Sequence, residues 1–239
     1  MTYIIVAAGM GTRLRPHTLA YPKSLFKLDA DTTLLGRLVN GIRTADKPAE
    51  IVVCAGFCAD KLEQELPGVI IVKNPFYAVT NSLATLWFAR EYLDRDNVVL
   101  IDGDVVVEQR LIADVYAVPT DRPTALIDTS RAESGDYCVQ LDASGLVAAM
   151  SKDLPAPGGE YANVTKLDRA SALRYRERVV RMIDAGQSDQ WMETALAQMI
   201  FEDGFELHHF DIAGYAWSEV DAVSDLARAR EIHRKDSGK

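Results

Sequence analysis

Cysteine is scarce in this chain of 239 residues, which has only Cys54, Cys58 and Cys138. The number is odd, each lies in or beside an apolar segment, and no second ligand pair accompanies Cys54 and Cys58 at a zinc-binding spacing. A disulfide scaffold and a zinc module are thereby excluded, and reduced thiols in a cytoplasmic protein are expected. Long apolar runs are missing as well: none approaches the roughly 20 residues that cross a bilayer. No basic and apolar leader precedes the first strand, so neither a membrane span nor a signal peptide is expected. Cations are outnumbered, 26 Lys and Arg against 35 Asp and Glu, leaving a net charge of −9. Such a balance argues against a nucleic-acid binder. No Ser/Gly linker, repeat or low-complexity tract divides the chain, and residues 1–239 read as one domain.

What is present has the rhythm of an α/β protein. Tyr3-Ile4-Ile5-Val6, Ile51-Val52-Val53-Cys54, Val69-Ile70-Ile71-Val72 and Val98-Val99-Leu100-Ile101 are short continuous apolar runs. Helical patterns separate them, after Gly56 through about Leu66 and over Ser82–Leu93. Strands of this kind imply a parallel sheet buried on both faces. Further along, Tyr137–Met150 alternates around Asp142-Ala143-Ser144-Gly145 and predicts a hairpin. Helices are expected over about Arg169–Ala185 and Gln190–Asp203, strands over Phe205–Ile212 and Tyr215–Val220, and a closing helix from Asp221.

The first strand runs straight into Ala7-Ala8-Gly9-Met10-Gly11-Thr12-Arg13, then Leu14-Arg15-Pro16-His17-Thr18 and Pro22-Lys23. Gly9 and Gly11 let backbone N–H groups approach a polyphosphate. Arg13 and Lys23 supply cations for oxygens bound to phosphorus, and Ala7 and Ala8 offer backbone groups to a base edge. Residues 1–28 contain Arg13, Arg15, Lys23 and Lys27 and no acidic residue, so the loop is locally positive on a negative protein. Two other glycine loops are excluded. Leu14 stands where a dinucleotide fingerprint needs its third glycine, and the Gly-Lys-Ser/Thr of a Walker A loop is absent. Ligands of parallel sheets sit at the carboxyl ends of strands, where Asp102-Gly103-Asp104 also falls.

Gly9 to Lys23 fits, at every fixed position, the signature G-x-G-T-R-x-x-P-x-T-x-x-x-P-K, and the chain resembles the nucleotidyltransferases that activate sugar phosphates and alcohol phosphates. The resemblance implies a Rossmann-like fold with a mixed, mostly parallel sheet flanked by helices. It also implies transfer of a nucleoside monophosphate from the triphosphate to a phosphate-bearing acceptor, with release of pyrophosphate. Ala7, Ala8, Gly9, Gly11, Thr12, Arg13, Lys23 and Asn81 form the expected nucleotide-binding set, with Arg13 and Lys23 the catalytic cations. Asp104 and Asp221 are the expected ligands of Mg²⁺, an ion that takes oxygen donors, with Glu219 the lesser candidate because side chains two apart on a strand share a face. Asp221 is equally placed to cap the closing helix.

Asn74-Pro75-Phe76-Tyr77 followed by Thr80-Asn81-Ser82-Leu83-Ala84-Thr85-Leu86 resembles the N-x-x-Y-x-x-x-N-N-x-x-S-L segment of cytidylyltransferases acting on phosphocholine or aminoalkylphosphonates. Ser82 replaces a second Asn and Thr85 a Ser. Gly159-Glu160-Tyr161 and the block from Glu193 through Asp211 to Ile232 are similar to those enzymes in layout. An acceptor-binding subregion is expected over roughly 75–95 and 130–200, with Tyr77, Lys152, Glu160, Tyr161 and Glu219 as acceptor residues. Trp87, at core spacing with Leu83 and Leu86, is left out, and His208 and His209 read as structural. The favoured reading is a CTP-dependent cytidylyltransferase working by in-line attack at the α-phosphorus. A sugar-1-phosphate nucleotidyltransferase is the alternative, and a catalytically silent nucleotide-binding module is a third. Partners are thus a nucleoside triphosphate and a small phosphate or phosphonate; the sequence does not reveal the oligomeric state.

Overall fold

Alternation along the first strand determines the layering. Tyr3, Ile5 and Ala7 pack on one face and Ile4 and Val6 on the other, all buried, so both faces of this strand must be covered. The structure, a computed structural model, describes residues 1–131 and 137–238. β1 (Thr2–Ala7) leads through the glycine loop to α1 (Leu34–Ala45), β2 (Glu50–Ala55), α2 (Ala59–Glu65) and β3 (Ile70–Lys73). α3 (Ser82–Phe88) carries the chain to β4 (Asn97–Asp102). β5 (Val105–Val107) and the short α4 (Gln109–Leu111) follow, the latter continuing into a π-helical turn over Ile112–Tyr116. Then come β6 (Thr124–Asp128), β7 (Cys138–Leu141), β8 (Val147–Ser151), β9 (Gly159–Asp168), α5 (Arg169–Asp184) and α6 (Met192–Asp203). β10 (His208–Asp211), β11 (Trp217–Glu219) and α7 (Val223–Asp236) complete the order.

Nine strands form one sheet, whose main path runs β10-β6-β9-β4-β1-β2-β3, with β7 and β8 attached at β9; β5 and β11 make a separate antiparallel ribbon. Along that path every strand except β9 points the same way. The expected mixed, mostly parallel sheet is therefore present. α1, α2 and α4 cover one face through Leu38, Ile42, Leu62 and Leu111, while α3, α5 and α6 cover the other through Leu86, Tyr175, Val179 and Leu196. β1 has β2 on one side and β4 on the other, both parallel. The order reverses there, which opens a crevice beyond the carboxyl ends of β1 and β4.

The predicted hairpin forms as β7 and β8, its turn held by Asp142 Oδ1 accepting from the Ser144 and Leu146 amides at 2.8 and 2.9 Å. His209 is structural, its Nδ1 lying 2.6 Å from the Gly145 carbonyl in that turn. Two expectations need correction. The helix over Ser82–Leu93 stops at Phe88 and gives way to a 3-10 turn over Arg90–Leu93. Arg90 folds back there, donating to the Trp87 carbonyl at 2.9 Å and stacking 3.8 Å from the Trp87 ring. The strand expected over Phe205–Ile212 is confined to β10, because Phe205 and Leu207 turn into the core before pairing begins. All three cysteines are free thiols, and burial pushes the Cys54 thiol up to about 12. Among the described residues no helix is long and apolar enough to cross a membrane.

Candidate active site

The loop after β1 is shaped from within. Gly11 adopts φ 57°, a left-handed conformation that favours glycine, and its carbonyl accepts from the buried Thr18 hydroxyl at 2.7 Å. Leu14 anchors the far end of the loop in a small core with Leu34, Val106 and Ile232. Gly9 is different: a Cβ built there would meet nothing within 4 Å. No contact within the protein demands glycine at that position, whereas close approach of a bulky anion would. Arg13, with its side chain 61% exposed, reaches back to Asp221 Oδ2 at 2.8 Å.

Three carboxylates converge opposite this loop. Asp104 follows β4 and Glu219 ends β11; the ribbon pairs Glu219 with Val105, and the Val220 amide donates to the Asp104 carbonyl at 3.1 Å. Asp221 follows two residues later. One oxygen from each of Asp104, Glu219 and Asp221 lies within 4.8 Å of the others. Lys23 enters this group from the glycine loop, ion-paired to Asp104 Oδ2 and 3.0 Å from Asp221 Oδ1. Burial opposes charge on the Lys23 ammonium, but the two carboxylates outweigh it and hold the group above the ordinary lysine range. Burial, then repulsion from Asp104 and Asp221, pushes Glu219 up to about 9. Asp104 Oδ1 is buried with no hydrogen-bond partner. A hard oxygen donor set with one orphaned buried lone-pair group fits a divalent cation.

Asp221 is not consumed in capping α7. Asp225 Oδ2 accepts instead from the Asp221 and Ala222 amides, at 3.1 and 2.7 Å. Its carboxylate therefore remains free to face Lys23 and Arg13. Asn163 supports the third carboxylate, its Nδ2 donating to Glu219 Oε2 at 2.7 Å. Asn163 lies in a bulge of β9 at φ 56°, a region Asn tolerates better than most residues. Its role has no signal in the sequence, because only the fold brings it opposite Glu219.

The structure distributes the remaining expected residues around two joined cavities. The larger, about 180 Å³, has Ala7, Ala8, Gly9, Lys23, Tyr77 and Asn81 on its wall. Tyr77 is thus on the glycine-loop side rather than beside Lys152. Gly11, Thr12 and Arg13 border a neighbouring cleft with Asp221. The smaller cavity, about 100 Å³, lies between Arg13, Lys152, Asn163 and Glu219. Asp102, Trp191 and Glu193 line both. Glu160 faces an open cleft on the other side of Glu219, 3.4 Å from Arg131. Tyr161 is a correction: it is 2% exposed and its hydroxyl bonds Thr165 at 2.7 Å, so it belongs to the core beneath the site. Residues 132–136 of the expected acceptor subregion lie outside the described residues.

The two departures in the Asn-rich segment have visible roles. Ser82 Oγ accepts from the Met192 amide at 2.8 Å and ties the start of α3 to the start of α6. Thr85 accepts from Asn74 Nδ2 at 2.9 Å, inside the loop that carries Tyr77. Sequence reasoning missed Asp102 and Glu193. Asp102 was hidden by its neighbour Asp104, and Glu193 reads like any helix carboxylate.

Residues 3–198 match the family described as MobA-like NTP transferase domain. The 2-aminoethylphosphonate cytidylyltransferase of Lancefieldella rimae is 25% identical over 94% of this chain and 89% of its own. The CMP-5'-(3-aminopropyl)phosphonate synthase of Streptomyces rubellomurinus is 28% identical over 95% of this chain, which spans only 38% of that longer protein. The solved structure of the CTP:phosphocholine cytidylyltransferase of Streptococcus pneumoniae superposes with a TM-score of 0.78, at 22% identity over 97% of this chain and 98% of the other, a likeness of fold.

Proposed function

The chain belongs to the MobA-like NTP transferase family, and from that premise we propose that it transfers CMP from CTP to a phosphocholine-like phosphate or an aminoalkylphosphonate, releasing pyrophosphate. The observation that carries this reading is the Lys23 ammonium held between Asp104 and Asp221 at the β1/β4 crevice, facing a glycine loop with open space at Gly9. The cytidine base and the amino-bearing acceptor are supported by what the relatives above are named for.

Asp104, Asp221 and Glu219 would hold Mg²⁺, which supplies positive charge to triphosphate oxygens and to the departing pyrophosphate. The residues of the chain do the rest. Backbone amides of the Gly9–Arg13 loop and the Arg13 guanidinium bind and neutralise the triphosphate. Lys23, released from its carboxylates, is the cation for the α-phosphate or the incoming acceptor oxygen. That oxygen is already anionic, so little base catalysis is needed. Acceleration comes from holding two anions in line and offsetting their charge.

The test is magnesium-dependent pyrophosphate release with four ribonucleoside triphosphates and dTTP, each against phosphocholine, phosphoethanolamine, 2-aminoethylphosphonate and sugar-1-phosphates. Turnover confined to CTP with an amino-bearing acceptor is expected. Turnover only with a sugar-1-phosphate would move the protein to sugar activation, and CTP binding without any turnover would make it a binding module.

A further inference from the structure

Glu193 occupies the first turn of α6, is 6% exposed, and presents a buried Oε1 that has no hydrogen-bond partner. A buried acceptor left without a donor is costly, and more so when charged. The carboxylate is not turned into a dry core: it forms part of the wall shared by the two cavities of the site. Asp102 lies on that same wall, and among the described residues its side chain has no hydrogen bond or ion pair. The nearby cation, Lys152, acts on Glu193 through its charge alone and, among the described residues, donates to neither carboxylate. Its ammonium sits 4.3 Å over the Trp191 ring at the edge of the same cavity. The shared wall lies between Lys23 on one side and Arg13 on the other, the two cations that face phosphate oxygens in the proposed reaction.

Resting on the cytidylyltransferase reading, we propose that Glu193, assisted by Asp102, determines acceptor specificity by binding a primary ammonium group, so that the acceptor is a short aminoalkyl phosphate or phosphonate and not a choline ester. An –NH₃⁺ group carries three donors and a full charge, which answers both the orphaned Oε1 and the adjacent Asp102. A trimethylammonium group has no N–H and would leave Oε1 unsatisfied. Such a cation is bound instead by a cage of aromatic faces, whereas the rings on the two cavities, Tyr77, Tyr137 and Trp191, make no ring contact with one another among the described residues. Lys152 covers Trp191, while Tyr161 and Tyr175 are fully buried with their hydroxyls bonded to Thr165 and the Met192 carbonyl. A sugar hydroxyl could donate to Oε1 but brings no positive charge to the pair.

Steady-state kinetics with CTP and Mg²⁺ on the wild-type chain and Glu193→Gln test this, using 2-aminoethylphosphonate, phosphoethanolamine and phosphocholine. The wild type is expected to favour the primary amines by about 10²-fold in kcat/KM, since a site built for an N–H group rejects analogues lacking it. Glu193→Gln is expected to raise KM for 2-aminoethylphosphonate by about 10²-fold with kcat within a few-fold, and to raise KM for phosphocholine far less. Direct titration of CTP and a thermal melt establish that the variant is folded. Equal use of phosphocholine by the wild type, or an unchanged preference in the variant, overturns the assignment while leaving the cytidylyltransferase reading intact. Turnover restricted to sugar-1-phosphates, or none with CTP, overturns both.

Discussion

Lys23 is bound by carboxylates whose partner in the proposed reaction is a metal ion, and this double use makes its substitution informative. Removing the ammonium takes away an internal competitor for Asp104 and Asp221 and also a cation for phosphate. Lys23→Met is therefore expected to tighten binding of Mg²⁺ alone and weaken binding of CTP, each by about 10-fold, as measured by calorimetry. Movement of both affinities in the same direction would show that Lys23 does not share its position with the metal. Asp104 is tested by Asp104→Asn, which keeps an acceptor for Lys23 and the volume of the side chain. Losing one charge from the proposed metal site is expected to lower turnover by about 10³-fold, several kcal/mol of transition-state stabilisation, with the circular dichroism spectrum unchanged. Wild-type activity in that variant would remove Asp104 from the metal site.

At the scale of elements, β9 separates what was legible from what was not. The buried parallel strands β1, β2 and β4 are continuous apolar runs, and their period and length mark them directly. β9, which joins β4 to β6, carries Asn163, Thr165 and Lys166 into the interior and reads as a polar connection. Lys166 is tolerated because its ammonium donates to the Val115 and Val118 carbonyls at 2.5 and 2.6 Å, partners that no local pattern announces. α1 is similarly obscured: its Gly41 approaches Gln109 and Ile112 too closely for a side chain, and its Arg37 is buried against the Val107 carbonyl. The site divides along the same line. Gly9 to Lys23 is one contiguous motif, whereas Glu219, Asn163 and Glu193 meet only in the fold, through the β5–β11 ribbon, the β9 bulge and the first turn of α6. That bulge makes a separable prediction. Asn163→Gly keeps the left-handed backbone and loses only the bond to Glu219, so metal affinity is expected to fall about 10-fold with the melting temperature nearly unchanged. Asn163→Ala should show the same loss of affinity plus about 1 kcal/mol of destabilisation from the strained backbone. Equal stability of the two variants would mean that the bulge relaxes and does not aim the side chain.

Across the whole molecule, the buried carboxyl groups couple stability to pH. Burial, followed by the charge of Asp104, pushes Glu193 up to about 7, and burial with Asp104 and Asp221 pushes Glu219 up to about 9. Asp102 is raised in the same way, burial first and then Glu193. In the unfolded chain these groups lose their protons near the ordinary 4.5 of a glutamate or 3.8 of an aspartate. Between about pH 5 and pH 8 the folded state therefore binds more protons than the unfolded state, and stability falls as pH rises. Lys166, lowered by burial to about 8, acts in the opposite sense, adding stability as pH rises through that value. A cation that binds the ionised carboxylates of the folded state alone must act most strongly where the loss is greatest. The melting temperature without metal is thus expected to decline steadily from pH 5.5 to 8, and millimolar Mg²⁺ to flatten the profile by raising its alkaline end. A flat profile in the metal-free protein would mean that water reaches these carboxylates and ionises them without cost. Parallel profiles with and without Mg²⁺ would mean that the three converging carboxylates are a structural cluster, held together by Lys23 for the fold and not for catalysis.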